Sequence, residues 1–445
     1  MRRVLMIAYH FPPSLTVGRM RTVKYCKYLP EFGWEPAVVT SHPEAPYDPK
    51  LLDEIPAGTE VHRVGGGALV AGMLHAARAL RGAVRACLPR RQGSTGEGVS
   101  VGSDAPGMVW YLYWPDLHAS WIVPALRRAL PLARKCDVIY SSGWPMSCHI
   151  IGRRLAKLTG KPWIADHRDP WTLDWTYPLR VQDRLFRWCE RTCVRQCAYL
   201  VNVNEDRTRA HRKAFSFAPA EKFVTIPNGF DPADFEGLPK PPTEGPLTIA
   251  YIGALYGGRS PQGLMRAIAL LRERGRGLPG QLKLRLIGDG ATDHAALGRE
   301  LGILDCLELS ARVPYGQALK ALATSHVALL LGGSKVDTIS TPTKIYEYFF
   351  MGKPMMAVLP KGALWGLLAA AGVPCAAHDA TEDIARILTG LLETRAAGKP
   401  LPVPKPLPGQ EKYSRRYTAR QMADLMDSLC IPAPCRRPGA SRISS

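Results

Sequence analysis

The stretch STPTKIYEYFFMGKPMMAV, which begins at residue 340, has the residue types and spacing of a helix that binds phosphate and ribose. Thr341 is a favourable N-cap and the proline after it suits the first helical position, so free backbone N–H groups should lie near Thr343 and Lys344. These N–H groups, the helix dipole and the Lys344 ammonium attract phosphate. Glu347 follows one turn later, where its carboxylate can accept hydrogen bonds from sugar hydroxyls. The stretch therefore predicts a nucleoside-diphosphate site.

The same residues are also typical of an ordinary capped helix, in which Lys344 and Glu347 would form a solvated ion pair. A second element favours the binding site. YIGALYGGRS, residues 251–260, places Gly253 and Arg259 between a predicted strand and a predicted helix. Glycines let the backbone approach a diphosphate, and the arginine fork can bind phosphate oxygens in a bidentate manner. Glycine turns after strands are common, so the prediction rests on the presence of both elements and not on either one alone.

Length and composition describe a globular chain with more than one domain. The 445 residues exceed what one hydrophobic core usually supports, and 46% are hydrophobic while 22% are charged. The net charge of +20 favours anionic partners such as phosphorylated substrates, lipid headgroups or nucleic acid. The sequence has no zinc-finger spacing and no aromatic RNA-binding strand, so a nucleic-acid partner is not expected.

The eleven cysteines show no metal-ligand spacing and predict free thiols in a reducing compartment. Cys189, Cys193 and Cys197 recur every four residues on a predicted helix, but no fourth ligand is near in sequence. We therefore predict that they are small core residues, on the same apolar helix side as Leu185 and Trp188. No metal site is expected.

Two features bear on localisation. The N-terminal apolar run is too short for a signal peptide and no apolar window reaches transmembrane length, which predicts a cytoplasmic protein. Residues 69–91 form a basic amphipathic pattern, consistent either with contact to an anionic membrane surface or with an ordinary surface helix. Residues 92–107 and the tail after Cys430 are expected to be flexible.

Strands and helices alternate along the whole chain, which predicts an α/β fold with parallel sheets covered on both faces. We expect strands at residues 4–8, 36–40, 137–141, 162–166, 199–203 and 222–227, and again at 247–253, 282–288, 307–313, 327–331 and 354–359. A proline-rich passage at 228–246 separates the two series and predicts a linker between two doubly wound domains. Ligands of such sheets bind at the carboxyl ends of the strands, so the crevice between the domains is the expected site.

Several segments together resemble one family. YHFPPSLTVGRMRTVKYCKYLPEFGWEP, DVIYSSGWP, PWIADHRDPW, TIPNGFD, YIGALYGG, LRLIGDG and PTKIYEYFFMGKPMMAV are similar to segments of GT-B glycosyltransferases of the family 4 type, the group 1 enzymes of bacterial surface-polysaccharide synthesis. The resemblance implies two Rossmann-like domains facing across a cleft. It assigns the acceptor domain to 1–237 (with the basic insertion 66–107), the donor domain to 238–408, a helix crossing back to the first domain to 409–430 and a flexible tail to 431–445.

The resemblance also assigns roles at the donor site, where a nucleotide sugar would bind. Glu347 would hold the donor ribose, and Thr343 with Lys344 would face the diphosphate. Arg259 would neutralise the leaving phosphate, and the backbone around Val313 would contact the base. Lys344 and Arg259 are thus catalytic as well as binding residues.

Further assignments depart partly from the family pattern. Gly18 would let the first domain approach the donor phosphate, and Gly253 lies in the glycine turn of the second. Arg168, beside Asp169, stands where many relatives have a histidine near the sugar, and we assign both as catalytic. The family often has a glutamate where this chain has Ile339, which cannot bind sugar hydroxyls.

Family resemblance implies transfer with retention of anomeric configuration, to a glycan or polyprenyl-linked acceptor. No Asp-x-Asp occurs, so neither a metal nor another cofactor is expected. Two alternatives remain open: a nucleotide-sugar 2-epimerase of the same fold, and a non-catalytic scaffold that binds a nucleotide sugar.

Overall fold

The computed structural model describes most of the chain. The described residues are 1–16, 18–43, 47–66, 115–116, 118–169, 171–173, 182–255, 258–275, 280–333 and 343–430. The features predicted at 69–91, 92–107 and 431–445, and the N-cap Thr341, lie outside these ranges. Among the described residues, no helix combines the length and the apolar character needed to cross a membrane.

The first half of the chain forms a seven-stranded parallel sheet in the order β3-β2-β1-β4-β5-β6-β7. Its strands are β1 Arg2–Ile7, β2 Trp34–Ser41, β3 Glu60–Val64, β4 Val138–Gly143, β5 Trp163–His167, β6 Tyr199–Asn202 and β7 Phe223–Thr225. In the register, Leu5 of β1 lies between Ala37 of β2 and Ile139 of β4, and all three are fully buried. Apolar residues on both faces of these strands explain their continuous hydrophobic runs.

The second half forms a six-stranded parallel sheet in the order β10-β9-β8-β11-β12-β13. Its strands are β8 Leu247–Ile252, β9 Leu282–Ile287, β10 Leu307–Ser310, β11 Val327–Leu331, β12 Met355–Val358 and β13 Cys375–Ala376. Strand order reverses between β1 and β4 in the first sheet and between β8 and β11 in the second. In doubly wound sheets, ligands bind beyond the strand ends at such a reversal.

Helices cover both faces of each sheet. In the first half they are α1 Arg19–Tyr28, α2 Ile122–Lys135, α3 Ser147–Thr159, α4 Gln182–Gln196 and α5 Glu205–Ala214. In the second half they are α6 Gln262–Glu273, α7 Ala295–Glu300, α8 Tyr315–Ala323, α9 Thr343–Phe350, α10 Ala363–Ala370 and α11 Thr381–Ala396, and the chain continues into α12 Arg415–Cys430. Each sheet has a hydrophobic cluster on either face. The α/β fold predicted from the sequence is confirmed.

The last helix returns to the first sheet, as predicted. Met422 and Met426 of α12 are fully buried in the cluster that contains Val4 and Met6 of β1. At its start, the backbone N–H of Arg415 donates to the carbonyl oxygen of residue 230 over 2.7 Å. The final helix thus ties the second half of the chain to the first. The exact domain limits stay a prediction.

One strand was missed and one helix side was assigned wrongly. The strand β3, Glu60–Val64, was not predicted, because every residue in it is half-buried and the sequence EVHRV has no apolar run. Leu185 and Trp188 are 46% and 55% exposed rather than buried. The three cysteines Cys189, Cys193 and Cys197 occupy the buried side of that helix instead, at 3%, 0% and 2% exposure, which confirms their prediction as core residues.

Candidate active site

A lysine ammonium lies against a glycine at the strand reversal of the second sheet. Lys344, in the first turn of α9, places its Nζ 4.1 Å from the ring centroid of Tyr251. Gly253 follows β8 with φ 148°, and a Cβ at this position would collide with the Lys344 ammonium. A Cβ at Gly288, after β9, would collide with the carbonyl group of Gly253. Only glycines allow this close packing, so the predicted pairing of the glycine turn with Lys344 is present as a contact.

Arg259 follows Gly253 closely in the sequence, and Thr343 directly precedes Lys344. Arg259 is half-buried in the turn between β8 and α6, six residues beyond Gly253. Thr343 is the first residue of α9 and is also half-buried. The carboxyl end of β8 and the amino end of α9 therefore bring glycine, lysine and a helix start to one edge of the sheet, which is an arrangement suited to phosphate.

Glu347 is held by a tyrosine rather than by Lys344. The hydroxyl group of Tyr315, at the start of α8, donates to Glu347 Oε1 over 2.9 Å. Burial raises the pKa of the Glu347 carboxyl above its ordinary value, while the Tyr315 hydrogen bond and the charges of Arg415 and Lys344 act in the opposite direction. The carboxylate is thus fixed one turn beyond Lys344 and is half-buried. This differs from the solvated ion pair that an ordinary capped helix would have.

Val313 lies close to Tyr315 in sequence, between β10 and α8. It is half-buried, and its neighbour Arg312 forms an ion pair with Asp289 that follows β9 (Nε to Oδ1, 3.1 Å). The ion pair joins the ends of two neighbouring strands. Val313 therefore stands at the same edge of the sheet as the glycine turn, where the base was expected.

In the first sheet, a guanidinium group packs against a second glycine. Arg168, directly after β5, donates from Nε to Ser142 Oγ over 2.9 Å and from Nη2 to the Trp144 carbonyl oxygen over 2.7 Å. A Cβ on Gly18, at the start of α1, would lie 2.8 Å from Arg168 Nη1. Asp169 is exposed beside it. Two residues predicted separately, Gly18 and Arg168, are thus in contact at the reversal between β1 and β4.

A buried polar network behind this contact was not predicted. Arg21 of α1 donates from Nε to Asp166 Oδ2 over 2.6 Å, and the Tyr140 hydroxyl group donates to the same oxygen over 2.5 Å. The other Arg21 nitrogens donate to two backbone carbonyls at the end of the first half. Arg21 and Asp166 are 2% and 0% exposed, so this pair is costly to break. It fixes the start of α1 against the end of β5.

A further cluster joins α1 to the segment between the two sheets. Lys24 Nζ and Lys27 Nζ donate to Asp231 Oδ2 over 2.7 and 2.8 Å, and the Tyr28 hydroxyl group donates to Oδ1 over 2.6 Å. Burial raises the pKa of Asp231, but these hydrogen bonds outweigh it and lower the pKa to about 2. The carboxylate is therefore charged over the whole working range of pH.

Tryptophan and histidine rings lie near Arg168 and differ in how far they are exposed to solvent. Trp121 is 1% exposed and belongs to the core, whereas Trp144 is 37% exposed. His10 follows β1, and burial together with the positive charge of Arg168 lowers its pKa to about 3, so its ring is neutral at pH 7. His118 packs against Tyr9, with ring centroids 4.0 Å apart. These rings surround the same end of the first sheet as Arg168.

Comparison with known proteins relates one part of the chain to a family and the whole chain to a fold. Residues 86–229 match the family described as the glycosyl transferase 4-like domain. No curated protein matches the chain in sequence. The similarity to solved structures extends over nearly the whole chain, although the identities are low.

Three solved structures illustrate the fold. Sucrose-phosphate synthase from Thermosynechococcus elongatus has a TM-score of 0.64 at 13% identity, over 96% of this chain and 99% of its own. HepE from Anabaena, in complex with UDP-glucose, has a TM-score of 0.55 at 14% identity, over 96% and 98%. WaaG, a glycosyltransferase involved in lipopolysaccharide biosynthesis, has a TM-score of 0.54 at 14% identity, over 96% and 98%.

Proposed function

We propose that this chain, a glycosyltransferase of the GT-B fold with a glycosyl transferase 4-like domain, moves a sugar from a nucleoside-diphosphate sugar to a glycan or polyprenyl-linked acceptor. The observation that supports the proposal most strongly is the Lys344 ammonium, packed on the Tyr251 ring and against Gly253. The similarity in fold to HepE, which was solved in complex with UDP-glucose, supports a nucleotide-sugar donor.

In this proposal, the second sheet binds the donor. The diphosphate lies at the amino end of α9, where backbone N–H groups and Lys344 meet its charge, and Arg259 approaches from the turn after β8. Glu347 accepts hydrogen bonds from the ribose hydroxyls, and the Tyr315 hydroxyl group holds the carboxylate in place. Val313 contacts the base through its backbone.

The proposed reaction breaks the bond between the anomeric carbon and the diphosphate oxygen and forms a bond to the acceptor oxygen on the same face of the sugar. The departing diphosphate oxygen takes the acceptor proton, so the configuration is retained and no separate general base is needed. Lys344, Arg259 and the helix N–H groups stabilise the charge that develops on the diphosphate, and each such preorganised donor contributes about 10²–10³-fold in rate. This stabilisation requires no divalent metal at the donor.

The first sheet contributes Arg168 and Asp169 near the transferred sugar, with Gly18 leaving room for the donor phosphate. We further propose that the acceptor belongs to cell-surface polysaccharide biosynthesis and is presented at the inner face of the cytoplasmic membrane. The lipopolysaccharide enzyme WaaG, which shares the fold, and the net charge of +20 support this placement.

The proposal is tested by nucleotide release from a panel of UDP-, GDP- and dTDP-sugars, without added Mg²⁺ or Mn²⁺ and with EDTA present. We expect release from one donor class, and a loss of at least 100-fold in both Lys344→Ala and Glu347→Ala. The matched control is Lys399→Ala, because Lys399 is an exposed lysine in the same half of the chain and follows the end of α11. It should keep full activity.

The alternatives give different results. A 2-epimerase would interconvert two nucleotide sugars without releasing the nucleotide. Donor binding without release, even with membrane extract as a source of acceptor, would indicate a binding scaffold. Release that requires Mg²⁺ or Mn²⁺ would contradict the proposed role of the lysine and arginine.

A further inference from the structure

Three buried side chains converge directly behind Arg168. His167 ends β5, Glu190 lies in α4 and His211 lies in α5, with exposures of 0%, 0% and 1%. Glu190 Oε1 is 3.4 Å from His211 Nε2 and 3.9 Å from His167 Nδ1. One ligand atom from each residue lies within 4.8 Å of the other two. The proposed transfer reaction uses none of these groups.

The facing atoms lack hydrogen bonds. Across the described part of the chain, no hydrogen-bond partner exists for either ring nitrogen of His167, for Glu190 Oε1 or for His211 Nε2. Buried polar atoms are nearly always paired, so the three atoms that face one another here, one from each residue, need a common explanation. A protonated His211 that donates to Glu190 would still leave His167 Nδ1 unpaired, 3.9 Å from the same carboxylate oxygen.

The partners on the far side of the cluster fix which atoms point inward. His211 Nδ1 lies 3.0 Å from the carbonyl oxygen of Arg207, which can only accept a hydrogen bond, so Nδ1 carries the proton. In the neutral ring, Nε2 then presents a lone pair to Glu190 Oε1, and two lone pairs at 3.4 Å repel each other unless a cation lies between them. Glu190 Oε2 accepts from the backbone N–H and the hydroxyl group of Thr172, which turns Oε1 toward the histidines.

We propose that His167, Glu190 and His211 bind one divalent transition-metal ion, and that zinc is the ion this ligand set fits best. Imidazole and carboxylate ligands bind zinc at about 2.1 Å, which separates neighbouring ligands of a tetrahedron by about 3.4 Å. The two separations from Glu190 Oε1, 3.4 and 3.9 Å, are close to this edge length. A histidine that donates its other N–H to a backbone carbonyl is the usual arrangement around such an ion.

Asn202 offers a fourth ligand. It is the register partner of His167 on β6, so its side chain lies on the same face of the sheet. Asn202 is fully buried, and among the described residues neither its Oδ1 nor its Nδ2 has a hydrogen-bond partner. Its Oδ1 would then complete a closed set of four ligands.

The site holds the chain segment that carries Arg168. The ion joins the end of β5 to α4 and α5, and Arg168 is the next residue after His167. On α5, one turn before His211, Arg207 donates from Nη1 to the Arg168 carbonyl oxygen over 2.7 Å. Because the ligands are fully buried, the sugar has no access to the ion, and its role is to position Arg168 rather than to take part in transfer.

The test is made on the full-length protein without a histidine tag. We expect one zinc per chain by plasma mass spectrometry, removed only by prolonged treatment with a strong chelator, and a higher melting temperature when zinc is restored. Cobalt added to the metal-free protein should give the visible absorption of a four-coordinate ion. Glu190→Gln keeps the shape and the Thr172 contact, and His211→Gln removes a ring ligand, so each should lower the zinc content at least tenfold. His294→Gln, in the second domain, is the matched control.

A wild-type protein that contains no zinc, takes up none and melts at the same temperature with and without it would overturn the proposal. Zinc that stays in both Glu190→Gln and His211→Gln would also overturn it, because the ion would then bind elsewhere. If a variant fails to fold, the comparison of metal-free and metal-loaded wild type decides. These measurements use no donor, so they stand apart from the nucleotide-release assay, in which a brief exposure to EDTA removes only Mg²⁺ and Mn²⁺.

Discussion

Substitution of Gly18 by alanine tests whether activity depends on the position of Arg168, because the change should move the guanidinium without destabilising the fold. Gly18 has φ −55° and ψ −25°, a conformation that alanine adopts without strain. Its new Cβ would lie 2.8 Å from Arg168 Nη1, whereas ordinary contacts begin at 3.4 Å, so the guanidinium has to move by about 0.6 Å. The move strains its hydrogen bonds to Ser142 and Trp144, which are 2.9 and 2.7 Å long.

The expected result is a less active protein of equal or greater stability. A misplacement of about 1 Å in an active site can reduce the rate by about 10²-fold, so we expect Gly18→Ala to lower kcat by roughly 10- to 100-fold. Replacing a glycine in an allowed conformation stabilises the fold by about 0.4–1 kcal/mol through the unfolded chain. The melting temperature should therefore stay the same or rise slightly.

The assay is nucleotide release with the donor that the wild type uses, together with thermal unfolding of the same samples. Gly390→Ala is the matched control, since Gly390 lies in α11 and an added Cβ there meets no atom within 4 Å. Full activity in Gly18→Ala would refute the view that Arg168 has to stay where the structure has it. A melting temperature that falls along with activity would show that Gly18 acts on the fold instead.

Three further changes have distinct expected results. Asp231→Asn should destabilise the protein at pH 7 by about 2 kcal/mol, the equivalent of lowering the carboxyl pKa from 3.8 to about 2. Because this stability is present above pH 3.8 and is lost as the pH falls through about 2, urea unfolding should show the difference from wild type shrinking over that window. Gly253→Ala should raise the donor KM at least tenfold, because the new Cβ displaces the Lys344 ammonium. The control is Gly275→Ala: Gly275 also has a positive φ, 71°, but an added Cβ meets no atom within 4 Å, so the donor KM should not change. Tyr315→Phe should raise the donor KM about 2- to 10-fold with little change in kcat, because Glu347 loses one hydrogen bond worth about 0.5–1.5 kcal/mol.

The central strands could be predicted because both faces of a parallel sheet are buried, which leaves a continuous apolar run in the sequence. This signal fails at an edge. Glu60–Val64 has no fully buried residue, so its sequence looks like a loop. The signal also fails to show how much of the apolar side of a helix is covered. In α4, Cys193 is fully buried, whereas Trp188, which the sequence places on the same side, is 55% exposed.

The parts of the site that are marked by short sequence features could be predicted from the sequence. A glycine after a strand and a lysine at a helix start are local features, and the parallel sheet brings Gly253 and Lys344 together. The partner of Glu347 was not accessible, because Tyr315 belongs to another helix and reaches it only through the fold. The same holds for Arg21 and Asp166, which are 145 residues apart in the chain.

The two sheets repeat one arrangement at their strand reversals, a cation packed on a glycine. Arg168 lies against Gly18 and is held by a serine hydroxyl and a backbone carbonyl, while Lys344 lies against Gly253 and is held by the face of an aromatic ring. In both cases the missing Cβ lets the cation sit close to the backbone. In the proposed reaction, cations that are already held in place are what a departing diphosphate requires, because the site then needs no reorganisation as negative charge develops.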